Sequence, residues 1–257
     1  MISAIGLSDK GRIRKGNEDA FACAEDLQLF IVADGMGGHN AGEVASQFAI
    51  EAMVGFVRRS NNRDEFSWPY GIDPTLSFDG NRLRTAIYLA NRRVFRAAEE
   101  HDDYTGMGTT VVSALIVDST LIVGHVGDSR LYMLSAGGEL RQLTQDDSWA
   151  ATILAAELGD DKVPLSNHPM RNVLTNVLGA RDQTDIHLAE IPLRGGELML
   201  LCSDGLHGIL ADEAIRRVLL AETSLEGAAH TLIQEALDAG SRDNVTALLI
   251  RYTGAGI

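Results

Sequence analysis

Leu27-Gln28-Leu29-Phe30-Ile31-Val32-Ala33-Asp34-Gly35-Met36-Gly37-Gly38-His39 runs from an apolar segment into an aspartate and a glycine-rich turn. A short apolar run closed by Asp-Gly reads as a buried strand and its turn. Beyond the turn, Val44, Phe48, Met53, Phe56 and Val57 recur at helical spacing, and Arg58-Arg59 supplies the positive charge that suits a helix C-terminus. A strand therefore delivers Asp34 to the mouth of a turn, and an amphipathic helix over 41–59 follows.

The same grammar extends both ways. Residues 2–7 and 20–24 read as strands, and 60–80, polar with Pro69 and Pro74, as a surface loop or insertion before a helix over 82–101. Residues 111–117, 121–126 and 131–134 suggest a meander of antiparallel strands, broken at Asp118-Ser119 and Gly127-Asp128. A helix over 146–158 leads into a mobile crossing segment over 159–172, which holds two prolines. Strands over 186–191, 198–202 and 245–251 and helices over 212–221 and 225–239 complete the chain. Strand runs broken by helix pairs, without strict βαβ alternation, indicate an α+β fold with antiparallel sheets under helices.

With 257 residues, 45% of them hydrophobic, the chain is expected to fold as a single domain over 1–257. Its formal charge of −14, from 36 acidic and 22 basic residues, argues against a nucleic-acid or anionic-membrane footprint, which needs a basic face. A basic leader and a long apolar span are both missing, so a cytoplasmic location is expected. Cys23 and Cys202 each lie inside an apolar run, the usual place of a reduced core thiol.

Four strand ends share one form: Val32-Ala33-Asp34-Gly35, Val126-Gly127-Asp128, Cys202-Ser203-Asp204-Gly205 and Arg242-Asp243-Asn244. Strand ends hold carboxylates rigidly, and Mg²⁺ and Mn²⁺ prefer oxygen ligands, so converging aspartates suit a binuclear site without His or Cys. Any one Asp-Gly taken alone is equally a turn, since both residues are favoured there for conformational reasons.

In order along the chain stand Arg14-Lys15-Gly16-Asn17-Glu18-Asp19, Asp34-Gly35-Met36-Gly37-Gly38-His39 with Gly42-Glu43 and Ala45-Ser46, and Met107-Gly108-Thr109-Thr110. Gly127-Asp128-Ser129-Arg130, Leu143-Thr144, Leu201-Cys202-Ser203-Asp204-Gly205-Leu206 and Asp243-Asn244-Val245-Thr246 follow. Their identity and order resemble the metal-dependent protein Ser/Thr phosphatases of type 2C, the PPM family, in its bacterial branch. The resemblance implies a four-layer αββα sandwich of two antiparallel sheets flanked by helices, with two Mn²⁺ or Mg²⁺ ions in a channel at one edge. It implies that Asp34 bridges the metals, that the Gly35 carbonyl ligates one, and that Asp204 and Asp243 hold the other. A hydroxide shared by the metals would attack phosphorus. Asp19, with Glu18, would act through waters beside the second metal, Asp128 with Asp204 would form a weaker third site, and Arg14 would bind the phosphate.

Two positions depart from the family. Met36 stands where some relatives carry a histidine thought to act as general acid; His39, three residues on, either takes that role or caps the next helix. Asp146-Asp147-Ser148 replaces a common Asp-His-Ser, at the start of the flap, about 146–182, with which substrate choice is associated. The implied partners are phosphoprotein substrates, including a Ser/Thr kinase.

Other phosphatase chemistries fail on spacing. Six residues after Cys202 is Gly208 and six after Cys23 is Leu29, so neither thiol has the arginine a cysteine phosphatase needs. Asp-x-Asp, Gly-Lys-Ser/Thr and His-Glu-x-x-His are absent. A catalytically silent binding module of the same fold and a small-molecule phosphomonoesterase stay open as alternatives.

Overall fold

The computed structural model describes residues 1–38, 41–60, 68–156, 170 and 173–254. Strands β1 (Ile2–Asp9), β2 (Asp19–Ala24) and β3 (Leu29–Met36) lead to helices α1 (Ala41–Arg59) and α2 (Phe78–Glu100). Next come β4 (Gly108–Thr109), β5 (Val111–Val117), β6 (Thr120–Val126), β7 (Arg130–Leu134) and β8 (Leu140–Gln142), then α3 (Trp149–Ala156). The last part holds β9 (His187–Pro192), β10 (Glu197–Cys202), α4 (Asp204–His207), α5 (Asp212–Ala221), α6 (Leu225–Asp238) and β11 (Val245–Tyr252). One sheet has the order β1-β11-β10-β7-β8 and the other β2-β3-β5-β6-β9, with β4 added to the end of β3. Every pairing between named strands is antiparallel.

Strand periodicity sorts the apolar residues into three cores, and these define four layers. On β3, Leu29, Ile31 and Ala33 pack with α1 and α2, while Phe30 and Val32 turn toward the other sheet. On β10, Met199 and Leu201 join that central layer, whereas Leu198, Leu200 and Cys202 face α5 and α6. Both faces of each sheet are thus covered, which is why these strands read as continuous apolar runs rather than as alternation. The αββα sandwich is present as expected.

Several local expectations are corrected. The meander over 111–134 is split: β5 and β6 pair with each other, but β7 crosses at Gly127-Asp128 into the other sheet and pairs with β10. Turn residues mark where a strand ends and carry no record of which sheet the next one joins. Helix α2 begins at Phe78 rather than 82, because the Ser77 hydroxyl accepts the Gly80 N–H as an N-cap. Helix α3 begins at Trp149, since Asp146 and Asp147 spend their carboxylates on long-range partners. Most of the crossing segment 159–172 lies outside the described residues.

Candidate metal centre

The two sheets meet at one edge, where each contributes strand ends. In the register of β2 and β3, Asp19 stands directly opposite Asp34, so their side chains share a face of one sheet. Asp204 opens α4 just after β10, and Asp243 lies just before β11; both come from the other sheet. Asp128 sits in the turn where the chain crosses from β6 to β7. Sequence distances of 15 to 224 residues thereby collapse into one acidic edge.

Asp34 is fixed through its backbone. Its N–H donates to Thr110 Oγ1 at 3.1 Å, and its carbonyl accepts the Thr110 N–H at 2.9 Å and the Thr109 hydroxyl at 2.9 Å. Gly35 is required by close approach: a Cβ there would overlap the Gly42 carbonyl of α1 and crowd that of Glu18. The start of α1 can therefore press against the end of β3, and Glu18 accepts the Gly42 backbone N–H beside the positive end of that helix.

Asp19 links the sheets. Its Oδ2 accepts the Ser203 hydroxyl at 2.7 Å and the Thr246 hydroxyl at 2.6 Å, while Oδ1 is buried without a partner among the described residues. Asp204 Oδ1 is likewise buried and unpartnered. Burial is the largest cause of raised pKa at each floor carboxyl, and neighbouring carboxylates add to it. Asp19 is pushed up to about 6 and Asp128 to about 7. Asp34 lies well above the usual range among Asp19, Asp204, Asp128 and Asp243, and Asp204 is raised with Asp243 beside it.

A cleft of about 440 Å³ opens over this floor, with Arg14, Glu18, Gly35 and Thr110 among its walls. Arg14 Nη2 donates to Asp243 Oδ2 at 2.6 Å in a half-exposed pair. A second cavity of about 480 Å³ shares Asp128, Asp204 and Asp243 with it and adds Arg130 and Asp146. Arg130 does not pair with Asp128: its fork grips Asp146, Nε to Oδ1 at 2.9 Å and Nη2 to Oδ2 at 2.8 Å. His207 Nε2 lies 2.9 Å from the Asp128 carbonyl, and burial lowers the imidazole pKa to about 4, so this ring is neutral and donates there.

The site residues expected from sequence thus converge: Asp19, Asp34, Gly35, Asp128, Asp204, Asp243 and Arg14 all border this edge. His39 lies outside the described residues. Among the described residues no three acidic, His or Cys side chains by themselves form a group that would enclose a cation. Backbone carbonyl and water must therefore complete any coordination, as hard Mg²⁺-like ions favour. Among the described residues no donor reaches these buried acceptor oxygens, and such ions fit them.

Supporting residues escaped the sequence reading. Asn244 accepts the Glu18 N–H at 2.9 Å and donates to the Lys10 and Gly16 carbonyls at 2.8 and 3.0 Å, pinning the loop that carries Arg14. Ser203 and Thr246 orient Asp19. A hydroxyl in the otherwise apolar 245–250 run was the available signal for Thr246. Asp147, in place of the family's histidine, accepts the Gly127 N–H at 3.0 Å and Asn176 Nδ2 at 2.8 Å and contacts His187 Nε2 at 2.9 Å.

A two-sheet sandwich with aspartates from both sheets around an open cleft is the frame of a hydrolase that works through carboxylate-held cations. The chain belongs to the protein phosphatase 2C family, which it matches over residues 11–239, and is a metal-dependent protein serine/threonine phosphatase. It is 34% identical to the serine/threonine phosphatase stp of Listeria welshimeri over 251 residues, 95% of this chain and 93% of the relative. The crystal structure of the Mycobacterium tuberculosis phosphatase PstP/Ppp superposes with a TM-score of 0.82 at 33% identity, covering 98% of this chain and 99% of that one. A PstP catalytic domain solved with two manganese ions gives 0.79 at 33% identity, covering 98% of each chain. Among the described residues no helix is long and apolar enough to cross a membrane.

Proposed function

We propose that residues 1–257 act as one catalytic domain that removes phosphate from phosphoserine and phosphothreonine in cytoplasmic proteins, a Ser/Thr kinase among them. The observation that carries the site assignment is the pair of buried, unpartnered oxygens, Asp19 Oδ1 and Asp204 Oδ1, where the two sheets meet. Asp34 with the Gly35 carbonyl, and Asp204 with Asp243, would hold two Mn²⁺ or Mg²⁺ ions, with Asp19 beside them through water and Asp128 serving a weaker third. When bound, such ions supply a water of lowered pKa as nucleophile and offset the charge of the phosphoryl oxygens.

The chain's own residues do the positioning. Arg14 leaves Asp243 to receive the phosphoryl group, whose oxygens a guanidinium fork fits bidentately. Thr109 and Thr110 hold Asp34 in place, and Asn244 holds the Arg14 loop. For His39 two roles stay open, proton donor to the leaving hydroxyl or cap of the following helix. The segment 146–182 acts as the substrate-facing flap. In support, its two ends are stapled together: the Trp149 N–H donates to the Val173 carbonyl and the Thr175 N–H to the Asp147 carbonyl, each at 2.8 Å. The test is hydrolysis of a phosphothreonine peptide with Mn²⁺, with Mg²⁺ and with chelator; full turnover in excess chelator would overturn the mechanism.

A further inference from the structure

On the far side of residues 174–177 lies a separate cavity of about 640 Å³. Leu174 and Val177 line both it and the aspartate cleft, so a thin wall divides the two. Arg84, Tyr88 and Arg92 project into it from one face of α2 at successive i, i+4 steps, joined by Tyr70 and Arg181. On a chain of net charge −14, three guanidiniums in one concavity run against the global field.

Among the described residues no carboxylate forms a salt bridge with these arginines, and an aromatic ring orients Arg84. Arg84 lies over the Tyr88 ring, 5.1 Å from its centroid, and Tyr88 stacks on Tyr70 at 4.9 Å. Arg92 and Tyr70 line the same cavity. An aromatic face or a phenol fixes a guanidinium and leaves hydrogen-bonding edges open, whereas a carboxylate would consume both charge and fork. Asp73 and Asp182 are near enough to attract Arg84 and Arg92, but among the described residues neither they nor Asp185 closes a salt bridge with these arginines.

We propose that this cavity binds an anionic segment of the substrate protein, a cluster of Asp and Glu or a second phosphoryl group, away from the phosphoresidue being hydrolysed. The inference rests on the assignment of phosphoproteins as substrates. It makes substrate choice a two-point contact, with Arg14 at the scissile phosphate and the α2 arginines at a flanking anion, across the wall formed by 174–177.

The test compares three phosphothreonine peptides: one with neutral flanks, one with a glutamate cluster at graded spacings, and one carrying a non-hydrolysable phosphonate at the same spacings. Wild type should favour the anionic peptides roughly tenfold in kcat/KM at the best spacing, chiefly through KM. Arg84→Gln with Arg92→Gln should bring that ratio near one while the neutral peptide is hydrolysed as before. Arg181→Gln, a fully surface change, should lower the ratio in the same direction without a fold risk, and thermal melts check both variants. Equal kcat/KM for all peptides in wild type, or a ratio kept in the variants, would overturn the proposal. So would a free phosphate ester that inhibits neutral and anionic peptides alike in wild type but not in the variants, since that assigns the cavity to a small effector. Failure on the neutral peptide itself would strike the substrate assignment instead.

Discussion

Asp79 and Asp204 are both acidic groups that the fold takes out of water, yet they are treated in opposite ways. At the start of α2, the buried Asp79 meets the buried Arg82 at 2.5 Å, and Arg82 also donates to the Val57 carbonyl at 2.9 Å and the Ser60 hydroxyl at 3.2 Å. At the sheet edge, Asp19, Asp34, Asp128 and Asp204 crowd one another, two of their oxygens have no donor among the described residues, and their pKa values are pushed upward. The first arrangement is complete as folded; the second is complete only when positive charge arrives from outside. Unpaired buried carboxylates cost folding free energy, so their persistence marks a binding function.

Breaking the comparison at its strongest point means removing the acidic floor. Asp34→Ala or Asp204→Ala should lower kcat on a phosphothreonine peptide by orders of magnitude, while the melting temperature in chelator is kept or raised, because a mutually repelling carboxylate is gone. Loss of folding in parallel with activity would give these aspartates the structural role of Asp79. The mirror experiment is Arg82→Met, which strands a buried Asp79 and should cost about 3–5 kcal/mol in denaturant unfolding with turnover per folded molecule unchanged.

Arg14 tests the boundary between the two kinds of pairing, since its ion pair with Asp243 is half-exposed and exchangeable. Arg14→Ala should raise KM for phosphopeptide by the equivalent of about 1.5–3 kcal/mol, as one bidentate charged contact is lost. Metal affinity by calorimetry should hold or tighten, because the guanidinium competes with a cation for the Asp243 carboxylate. A collapse of metal binding would instead make Arg14 part of the metal site.

The pH response sharpens the contrast further. Raised carboxyl pKa values mean that the folded, metal-free chain binds more protons than the unfolded one between about pH 4 and about pH 7, from the ordinary value up to those of Asp19 and Asp128. Stability contributed by those groups is therefore full below the ordinary value and is lost as pH rises through the raised ones. Melts in chelator should show a lower transition at about pH 7.5 than at about pH 5, and Mn²⁺ should flatten the difference. An inverse slope would mean that the floor is neutralised by some donor within the chain.

The smallest effect belongs to Asp128, whose part is shared with Asp204. Asp128→Ala should leave two tightly held metals, lower turnover modestly and shift activity toward higher metal demand. Arg130 is gripped by Asp146, so among the described residues Asp128 has no direct salt bridge to it. A lowered melting point with unchanged turnover per folded molecule would return Asp128 to the turn.

Helix boundaries were readable at α1 and α5, which start and end where the 3.6-residue period does, and nearly so at α6. The acidic strand ends were readable because Asp-Gly after an apolar run is a local signal. Less was readable where a residue's partner is remote: nothing around Asp19 announces that Ser203 and Thr246 grip it, and nothing around Tyr70 announces that it stacks on Tyr88. The crossing of β7 into the second sheet was equally hidden.

What the sequence by itself determined is therefore the set of elements, the family-wide order of motifs and the identity of the carboxylates, since each follows from local periodicity or from residue type. Only the tertiary structure decided which oxygens are left without donors, that Arg14 rests on Asp243, and that three arginines face one concavity behind the flap. Those properties depend on distances between residues far apart in the chain, and they exist only once packing of the two sheets has removed water from one edge and left it at another.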